Sequence, residues 1–298
     1  NANIVHSHFG NAGWANLGAL RRIGAKHVVT FYGLDVNKLP MQRPVWRNRY
    51  AELFEKADLL LCEGSHMARS LVRLGCPEAK ACVQHLGVDV EQIRFQPRHW
   101  HFGEPLRILI AASFREKKGI PYAIEALGRV KNDFAIELTI IGNSGAEAGG
   151  QAEKARILAA LKRTGLAENT RLLGYQSHAN LMREAYGHHI FLHPSVTAVD
   201  GDTEGGAPVC IAEMLATGMP LVSTWHCDIP EVVGTAHQAY LAEERDIDGL
   251  VAALIRLLGH SERWTVLAQE GRQHIEKEYS QAHQAKRLAV HYQRVLEA

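Results

Sequence analysis

Short apolar runs alternate with longer amphipathic stretches along the whole chain, as in a parallel sheet with helical crossovers. In the first third of the chain the apolar runs are brief and rich in β-branched residues, and each leads into a stretch with helical periodicity. The predicted strands are residues 3–9, 26–31, 58–62 and 80–85, and the predicted helices are residues 12–23, 44–56 and 65–74. Ser65 is predicted to cap the last of these helices.

The alternation stops at residues 97–104, where Pro97 and Gly103 bracket polar and aromatic residues. We predict an interdomain linker there, with residues 1–96 in a first domain and residues 105–278 in a second. The second domain has predicted strands at 106–112, 136–142, 171–174, 190–193, 221–224 and 239–241, predicted helices at 120–130, 152–162, 177–186 and 209–217, and a turn at 228–231. Three helices are expected after that strand, and the last, residues 279–298, is expected to pack back toward the first domain.

Composition excludes several classes of protein. The chain has 298 residues, of which 46% are hydrophobic, enough for two globular cores. A formal net charge of +1 gives no reason to expect a nucleic-acid partner. The five cysteines are odd in number and show no paired spacing, which favours reduced thiols and a cytoplasmic location. No apolar run approaches the roughly 20 residues of a membrane helix.

Residues 200–224 carry the most informative pattern, a loop followed by a helix, a stop and a strand. Gly205 and Gly206 allow the backbone to turn tightly and to lie close to a ligand. Pro208 suits the first turn of a helix, and Gly218 followed by Pro220 ends it. The free N–H groups at such a helix start favour a phosphate.

Two carboxylates flank that helix start. Glu204 lies in the loop before it, and Glu213 lies just over one turn inside an otherwise apolar helix. Carboxylates are poor phosphate ligands but good acceptors for hydroxyl groups, so the pattern favours a ligand with hydroxyls on both sides of a diphosphate, a nucleotide sugar. An ordinary helix with one charged residue facing solvent is the simpler alternative.

This stretch resembles the Glu-x7-Glu region of retaining GT-B glycosyltransferases, especially those of glycosyltransferase family 4. The resemblance implies that Glu204 approaches the donor sugar and that Glu213 binds the ribose hydroxyls. Eight residues separate the two glutamates here instead of seven. The resemblance implies that the diphosphate is held by the segment between them, which contains Gly205, Gly206, Ala207, Pro208 and Val209.

Three further segments of the second domain resemble that family. Residues 113–119 resemble its Gly-Arg-Leu-x-x-Lys-Lys-Gly motif, which implies that Lys118 holds the leaving diphosphate; the family arginine falls on Ser113, and Arg115 is a candidate to replace it. A basic turn exposed to solvent is the alternative for this segment. Two other segments are candidates for the nucleotide pocket, namely Gly142 with Asn143 after a strand, and His178 at the start of a helix.

The first domain contributes residues to the opposite wall of the implied cleft. His8 ends the first predicted strand and, by the resemblance, approaches the donor sugar, although a strand-end histidine bonded to a carbonyl explains it equally. The segment from Phe31 to Asp35 resembles the family's Phe-His-Gly-x-Asp, with Tyr32 in place of the histidine. Tyr32 and Asp35 are therefore candidates for the acceptor side of the cleft.

The resemblance implies a GT-B fold, two Rossmann-like parallel-sheet domains facing a cleft, with the first domain incomplete because the chain begins within it. It implies a retaining hexose transfer from a UDP- or GDP-type sugar to a glycan or lipid-linked acceptor in cell-surface polysaccharide synthesis. No cofactor and no metal are expected, and Asp200-Gly-Asp202 is interpreted as a solvated loop. Peripheral contact with the inner face of the plasma membrane is also expected.

Two alternatives remain open from the sequence. The first is a nucleotide-sugar 2-epimerase of the same fold, which needs carboxylate bases in the cleft. The second is a protein that binds nucleotide sugars without catalysis, which Ser113 and Tyr32 both favour because each replaces a charged or titratable family residue.

Overall fold

The structure, a computed structural model, describes residues 2–297 and contains two parallel sheets. The first sheet has the strand order β1-β2-β3-β4, and the second has the order β10-β9-β8-β5-β6-β7. The strands are β1 (Ile4–His8), β2 (Lys26–Phe31), β3 (Leu59–Cys62), β4 (Ala81–Val83), β5 (Leu106–Ala111), β6 (Ile136–Ile141), β7 (Thr170–Gly174), β8 (Ile190–His193), β9 (Leu221–Thr224) and β10 (Leu241–Ala242).

Helices cover both faces of each sheet, so the central strands are almost continuously apolar and buried. The helices of the first domain are α1 (Gly10–Ile23), α2 (Leu39–Gln42), α3 (Val45–Lys56) and α4 (Ser65–Arg73). Those that follow are α5 (Ile120–Val130), α6 (Ala148–Thr164), α7 (His178–Gly187), α8 (Val209–Ala216), α9 (Ile229–His237), α10 (Ile247–Leu258), α11 (Trp264–Glu278) and α12 (Gln281–Glu297). None of the helices within residues 2–297 combines the length and the apolar character that a membrane crossing requires.

Two segments differ from their predicted structure. The predicted turn at 228–231 begins helix α9, because Pro230 is compatible with a first helical turn, and the helix then kinks at Gly234 (φ 66°). A π-helical turn, Leu34–Lys38, follows β2 where no element was predicted.

Residues 97–104 do not bridge the two domains, so the predicted linker is misplaced. Arg98 is buried in the second domain, where its guanidinium donates to the carbonyl oxygens of Ala185, His188 and Thr217. These carbonyls replace the water that the buried cation has lost. Trp100 packs into the apolar core under the second sheet.

The chain passes between the domains at two adjacent places. Where the chain leaves the first domain, Val88 donates its N–H to the carbonyl of Tyr279 at 2.8 Å. Where the chain returns to the first domain, Gln281 donates its N–H to the carbonyl of Val88 at 2.8 Å. Helix α12 then packs on the first sheet, where the hydroxyl of Tyr292 lies 2.7 Å from Nδ1 of His6.

The second domain supplies the cap for a helix of the first. Ser65 is the first residue of α4 rather than its cap, and the cap position, Gly64, has no side chain. Instead, Asp228 accepts hydrogen bonds from the N–H groups of His66 (2.6 Å) and Met67 (3.3 Å). Glu231 accepts from the N–H of Ser65 at 2.9 Å, so carboxylates from one domain neutralise the helix start of the other.

Candidate active site

Glu204 lies in the loop after β8 and is held by three side chains of the second domain. The ammonium of Lys118 lies 2.8 Å from Oε2, and the hydroxyl of Ser195 donates to Oε1 at 2.7 Å. Nε2 of His193 lies 3.6 Å from Oε1, and the Glu204 side chain is only 6% exposed. Both carboxylate oxygens are thus engaged by protein, and the contact of Glu204 with the donor sugar stays a prediction.

The charges of Lys118 and Glu204 stabilise each other. Burial opposes ionisation of Glu204, but the nearby Lys118 ammonium and His193 outweigh it and hold the pKa of Glu204 well below its ordinary value. Burial likewise disfavours the Lys118 cation, and Glu204 outweighs it and raises the pKa of Lys118. The site therefore contains a fixed ion pair, in which the ammonium has two N–H donors left for a ligand.

Lys117 forms a second ion pair that the sequence analysis missed. Its ammonium lies 3.1 Å from Oδ1 of Asp202 and 2.8 Å from the carbonyl of Thr203. Asp200 pairs with Lys38 of the first domain at 2.5 Å. Both aspartates of the Asp-x-Asp sequence are therefore neutralised by lysines.

The glycine-rich loop after Glu204 lies against the first domain. Gly205 has φ 79°, and a methyl group added there would lie 2.1 Å from Cα of Gly33. A methyl group added to Gly206 would lie 2.2 Å from a carboxylate oxygen of Glu63. Only glycine permits this approach of the two domains.

The loop then leads into α8 as predicted, with one shift. Pro208 occupies the cap position, and the helix begins at Val209 and ends at Ala216. Ala207 lies beside Glu63 at a small interdomain cavity. The start of α8 therefore lies at the junction of the two domains, where the sequence analysis placed the diphosphate.

Glu213 and His178 meet, although 35 residues separate them in sequence. Nε2 of His178, the first residue of α7, lies 2.8 Å from Oε1 of Glu213. His178 is exposed and Glu213 is half-buried, so the carboxylate faces an open rim at the carboxyl ends of the strands. Open α/β sheets bind their ligands at this edge.

Gly142 and Asn143 follow β6 on the same edge. Gly142 has φ 136°, and a methyl group there would lie 1.8 Å from the carbonyl oxygen of Ala112, so this glycine is required by packing. The carbonyl of Asn143 accepts from the hydroxyl of Tyr175, an exposed residue after β7 that the sequence analysis missed. Ser113 lies near them, since Phe114 donates its N–H to Asn143.

Arg115, the candidate to replace the arginine missing at Ser113, lies at a cavity away from the ion pair of Lys118 and Glu204. This cavity has a volume of about 440 Å³ and contains the acidic residues Glu147, Asp200 and Asp202. Neither Lys118 nor Glu204 lines that cavity. The contact of Arg115 with the donor diphosphate stays a prediction.

In the first domain His8 and Tyr32 form one unit. Nδ1 of His8 lies 2.6 Å from the Tyr32 hydroxyl, and the His8 ring stacks on His6 at 4.6 Å. The intervening Phe9 has φ 69°, rare for a residue with a side chain. Tyr32 adjoins Gly33, whose backbone touches the Glu204 loop, so this unit lies beside the domain junction.

Asp35 has a structural role instead of the predicted place in the cleft. Its side chain is 0% exposed and accepts hydrogen bonds from the N–H groups of Gly10 (2.6 Å) and Tyr32 (2.8 Å). Burial raises the pKa of Asp35 to about 7 despite these bonds. The aspartate thus ties the turn after β1 to the turn after β2.

A cluster of carboxyl groups at the domain junction was not predicted. Glu63 follows β3 and lies against Gly206. Burial, followed by the nearby carboxylates of Asp35, Asp228 and Glu204, raises the pKa of Glu63 to about 8. Because these residues come from four distant segments, no sequence motif contains them.

Two basic residues of the first domain are engaged by other side chains of the protein. The guanidinium of Arg49 lies 4.3 Å from the ring centroid of Trp14 and 4.7 Å from that of Trp46. Lys26 pairs with Asp58 at 3.3 Å. Within the described residues, no group of three or more His, Cys, Asp or Glu side chains has metal-binding geometry.

Comparisons with known proteins give family matches along most of the chain. A family described as Glycosyltransferase Family 4 matches residues 1–92, and one described as Glycosyl transferases group 1 matches residues 91–274. The amylovoran biosynthesis glycosyltransferase AmsK of Erwinia amylovora is 34% identical over 283 residues, which are 94% of this chain and 67% of AmsK. The putative colanic acid biosynthesis glycosyltransferase WcaL of Escherichia coli (strain K12) is 33% identical over 257 residues, 85% of this chain and 61% of WcaL. The chain therefore spans about two thirds of the length of these relatives.

A solved structure supports the same fold. The Anabaena protein Alr3699/HepE in complex with UDP superposes with a TM-score of 0.83 at 14% identity, covering 98% of this chain and 78% of that one. At this identity the likeness concerns the fold alone. Together with the two parallel sheets, it confirms the prediction of two α/β domains of the GT-B type.

Proposed function

Because the chain belongs to the family of glycosyl transferases group 1, we propose that it is a retaining hexosyltransferase. The donor is a nucleoside diphosphate sugar, and the acceptor is a hydroxyl group of a glycan or lipid-linked glycan. Its product is part of a cell-surface polysaccharide, as the names of the amylovoran and colanic acid relatives suggest. The buried pair of Lys118 and Glu204, beside the glycine-rich start of α8, is the observation that carries this proposal.

The main barrier to sugar transfer is the negative charge that develops on the departing phosphate. Lys118 is fixed by Glu204, and a fixed cation in a largely buried site stabilises such a charge with little reorganisation. Glu204 acts as a positioning residue for Lys118, since both of its oxygens bond to protein. Backbone N–H groups at the start of α8 add their partial positive charge.

The nucleotide lies along the rim between α7 and α8. Glu213 accepts the ribose hydroxyls, and the His178 imidazole, 2.8 Å away, orients its carboxylate. Tyr175 offers an exposed ring to the base, and its hydroxyl is anchored on Asn143. The Anabaena protein of the same fold was solved in complex with UDP, which supports a nucleoside diphosphate as part of the donor.

The first domain completes the site from the other side. His8 and Tyr32 lie beside Gly33, which touches the backbone of Glu204. We assign this pair to the sugar side of the cleft, where it shields the reacting atoms from water when the domains close.

The proposal is tested by incubating the chain with UDP- and GDP-sugars. We expect one nucleotide class to raise the melting temperature, and mass spectrometry to detect sugar transfer to glycan acceptors or slow donor hydrolysis. NMR of the product should show the anomeric configuration of the donor. Lys118→Ala should abolish detectable transfer, whereas Lys162→Ala, at an exposed position of α6, should leave the transfer rate unchanged.

Different failures contradict different parts of the proposal. If no nucleotide stabilises the protein, the donor site is wrongly assigned. An inverted product contradicts retention alone. Nucleotide binding with neither transfer nor hydrolysis indicates a binding protein without catalysis, and an epimerised donor indicates the isomerase alternative.

A further inference from the structure

A second cavity lies between the domains, beside the loop that carries Glu204. It has a volume of about 550 Å³ and is lined by residues of both domains, but not by Lys118, Glu204 or Glu213. Thr203, the residue before Glu204, forms part of the cavity wall on the side of this loop. The Thr203 hydroxyl braces this wall, because it accepts hydrogen bonds from the Asn37 side chain at 2.7 Å and from the Gly205 N–H at 3.1 Å.

An exposed tryptophan lies at this cavity. The Trp225 side chain is 43% exposed, whereas Trp100 and Trp264 are buried in the core. Its backbone is fixed at the end of β9, since its N–H donates to the carbonyl of Ala242 at 2.8 Å. An indole combines an apolar face with a polar N–H, which suits the C–H face and hydroxyls of a sugar ring.

The same cavity is rich in cations. Arg47 and Arg73 both line it, and neither is among the ion-paired arginines of residues 2–297. The acidic residue that lines it, Glu244, is already engaged by His226 Nδ1 at 2.5 Å and by the Thr197 N–H at 2.7 Å. Guanidinium groups bind carboxylates and phosphates through paired N–H donors, so the charge favours an anionic ligand.

We propose that this cavity is a glycan-binding subsite for a sugar chain that carries an anionic group. One sugar ring stacks on Trp225, and the carboxylate or phosphate binds Arg47 and Arg73. The subsite recruits a remote part of the acceptor glycan, while transfer takes place at the ion pair of Lys118 and Glu204. The identity of the glycan as the acceptor rests on the proposed function, but glycan binding itself can be measured without any donor.

The test is a calorimetric and fluorescence titration of the protein with three probes in the absence of nucleotide. These are cellobiouronic acid, its neutral counterpart cellobiose, and glucose 6-phosphate, so that a carboxylate, no charge and a phosphate are compared. We expect at least one anionic probe to bind about tenfold more tightly than cellobiose and to quench tryptophan emission. Which anionic probe binds better identifies the source of the charge.

Variants separate the two parts of the subsite. Trp225→Ala should weaken glycan binding about tenfold, Trp225→Phe should retain most of it, and Arg47→Ala/Arg73→Ala should abolish the preference for charged probes. Trp46→Phe, outside the cavity, is the matched control, and all variants should bind the donor nucleotide like the wild type.

Two results overturn the inference. One is equal affinity of the wild type for the charged and neutral probes. The other is unchanged glycan affinity in the Trp225→Ala variant that still binds nucleotide. If the wild type binds the glycan probes but binds no nucleotide, the proposed donor site is contradicted and the proposed glycan subsite is not.

Discussion

The ammonium of Lys118 lies 2.8 Å from a carboxylate oxygen of Glu204, and both side chains are largely buried. Removing one partner leaves the other charge without compensation in a site of low polarity. We therefore expect Lys118→Met to lower the free energy of unfolding by about 3–5 kcal/mol and to abolish transfer. Urea unfolding, monitored by circular dichroism, measures the first effect.

The double variant Lys118→Met/Glu204→Gln is the control for this pair. Since it removes both charges, most of the lost stability should return, while transfer should stay absent because the departing phosphate has no cation. If Lys118→Met alone is as stable as the wild type, the two groups do not form the buried pair described.

Glu213 and His178 allow a test of the ribose contact. Glu213→Gln should weaken nucleotide binding by about 10- to 100-fold, because a hydrogen bond to a charged group is lost. The wild-type protein should bind the 2′-deoxynucleotide more weakly than the ribonucleotide by a similar factor. The Glu213→Gln variant should bind both nucleotides with the same affinity. Glu184→Gln, which changes a carboxylate paired with Arg171 instead, is the matched control in the calorimetric titration.

Two results would contradict the assignment of Glu213 to the ribose. If Glu213→Gln binds the nucleotide with wild-type affinity, or still prefers the ribonucleotide, then the nucleotide lies elsewhere on the rim.

Glu63 should make stability depend on pH. Burial raises its pKa from the ordinary value of 4.5 to about 8 in the folded protein, so the folded state keeps a proton that the unfolded state has released. The contribution of Glu63 to the free energy of unfolding is fully present below about pH 4.5, and it is lost as the pH rises to about 8. Glutamine does not ionise, so Glu63→Gln should not show this loss. Relative to the wild type, the variant should therefore become more stable as the pH rises from 5 to 8.

Thermal unfolding at several pH values checks this expectation. Glu55→Gln, at an exposed position of α3, should show no such trend. A constant difference between Glu63→Gln and wild type across the range would mean that Glu63 is ionised in the folded state.

The interdomain cap of α4 predicts a steric conflict. A methyl group at Gly64 would lie 2.3 Å from the carboxyl carbon of Asp228, and because φ of Gly64 is −167° the conflict is with this side chain rather than with the backbone conformation. Gly64→Ala should therefore destabilise the closed domain arrangement, and Asp228→Ala should cost about 1–2 kcal/mol through loss of the cap.

The double variant distinguishes the two causes. With Asp228→Ala present, Gly64→Ala should add little, so the two effects should not sum. Gly18→Ala, where the structure leaves open space, is the control. Additive losses in the calorimetric melting curves would show that Gly64 and Asp228 do not touch.

Local patterns predicted the strands of the second sheet well, and they also indicated which side chains lie near one another at its edge. Runs such as 190–193 and 221–224 are short, apolar and bounded by turns, and the strands β8 and β9 have those bounds. His178 begins α7 and Glu213 lies just over one turn inside α8, and parallel topology brings the starts of such helices to one edge of the sheet.

The contacts between the domains and the burial of charged side chains depend on residues that are distant in sequence, so no short pattern predicts them. Asp228 caps a helix about 160 residues earlier in the chain, and Glu63 acquires its neutral form only from burial beside other segments. The cavity that Arg115 lines also depends on distant segments, because Lys38, Glu147 and Asp200 line it too. The linker was misplaced because Arg98, although polar, satisfies its charge on buried carbonyls.

The outgoing and returning chain segments run side by side, joined by hydrogen bonds between Val88 and its neighbours Tyr279 and Gln281. Two adjacent chain crossings can bend together as an interdomain hinge, but they restrict twisting and translation of one domain relative to the other. We therefore expect the cleft to open by rotation about an axis near residues 88 and 280. The reverse rotation would return Gly33 to the Gly205 turn, so the closed position of the two domains should depend on one hinge angle.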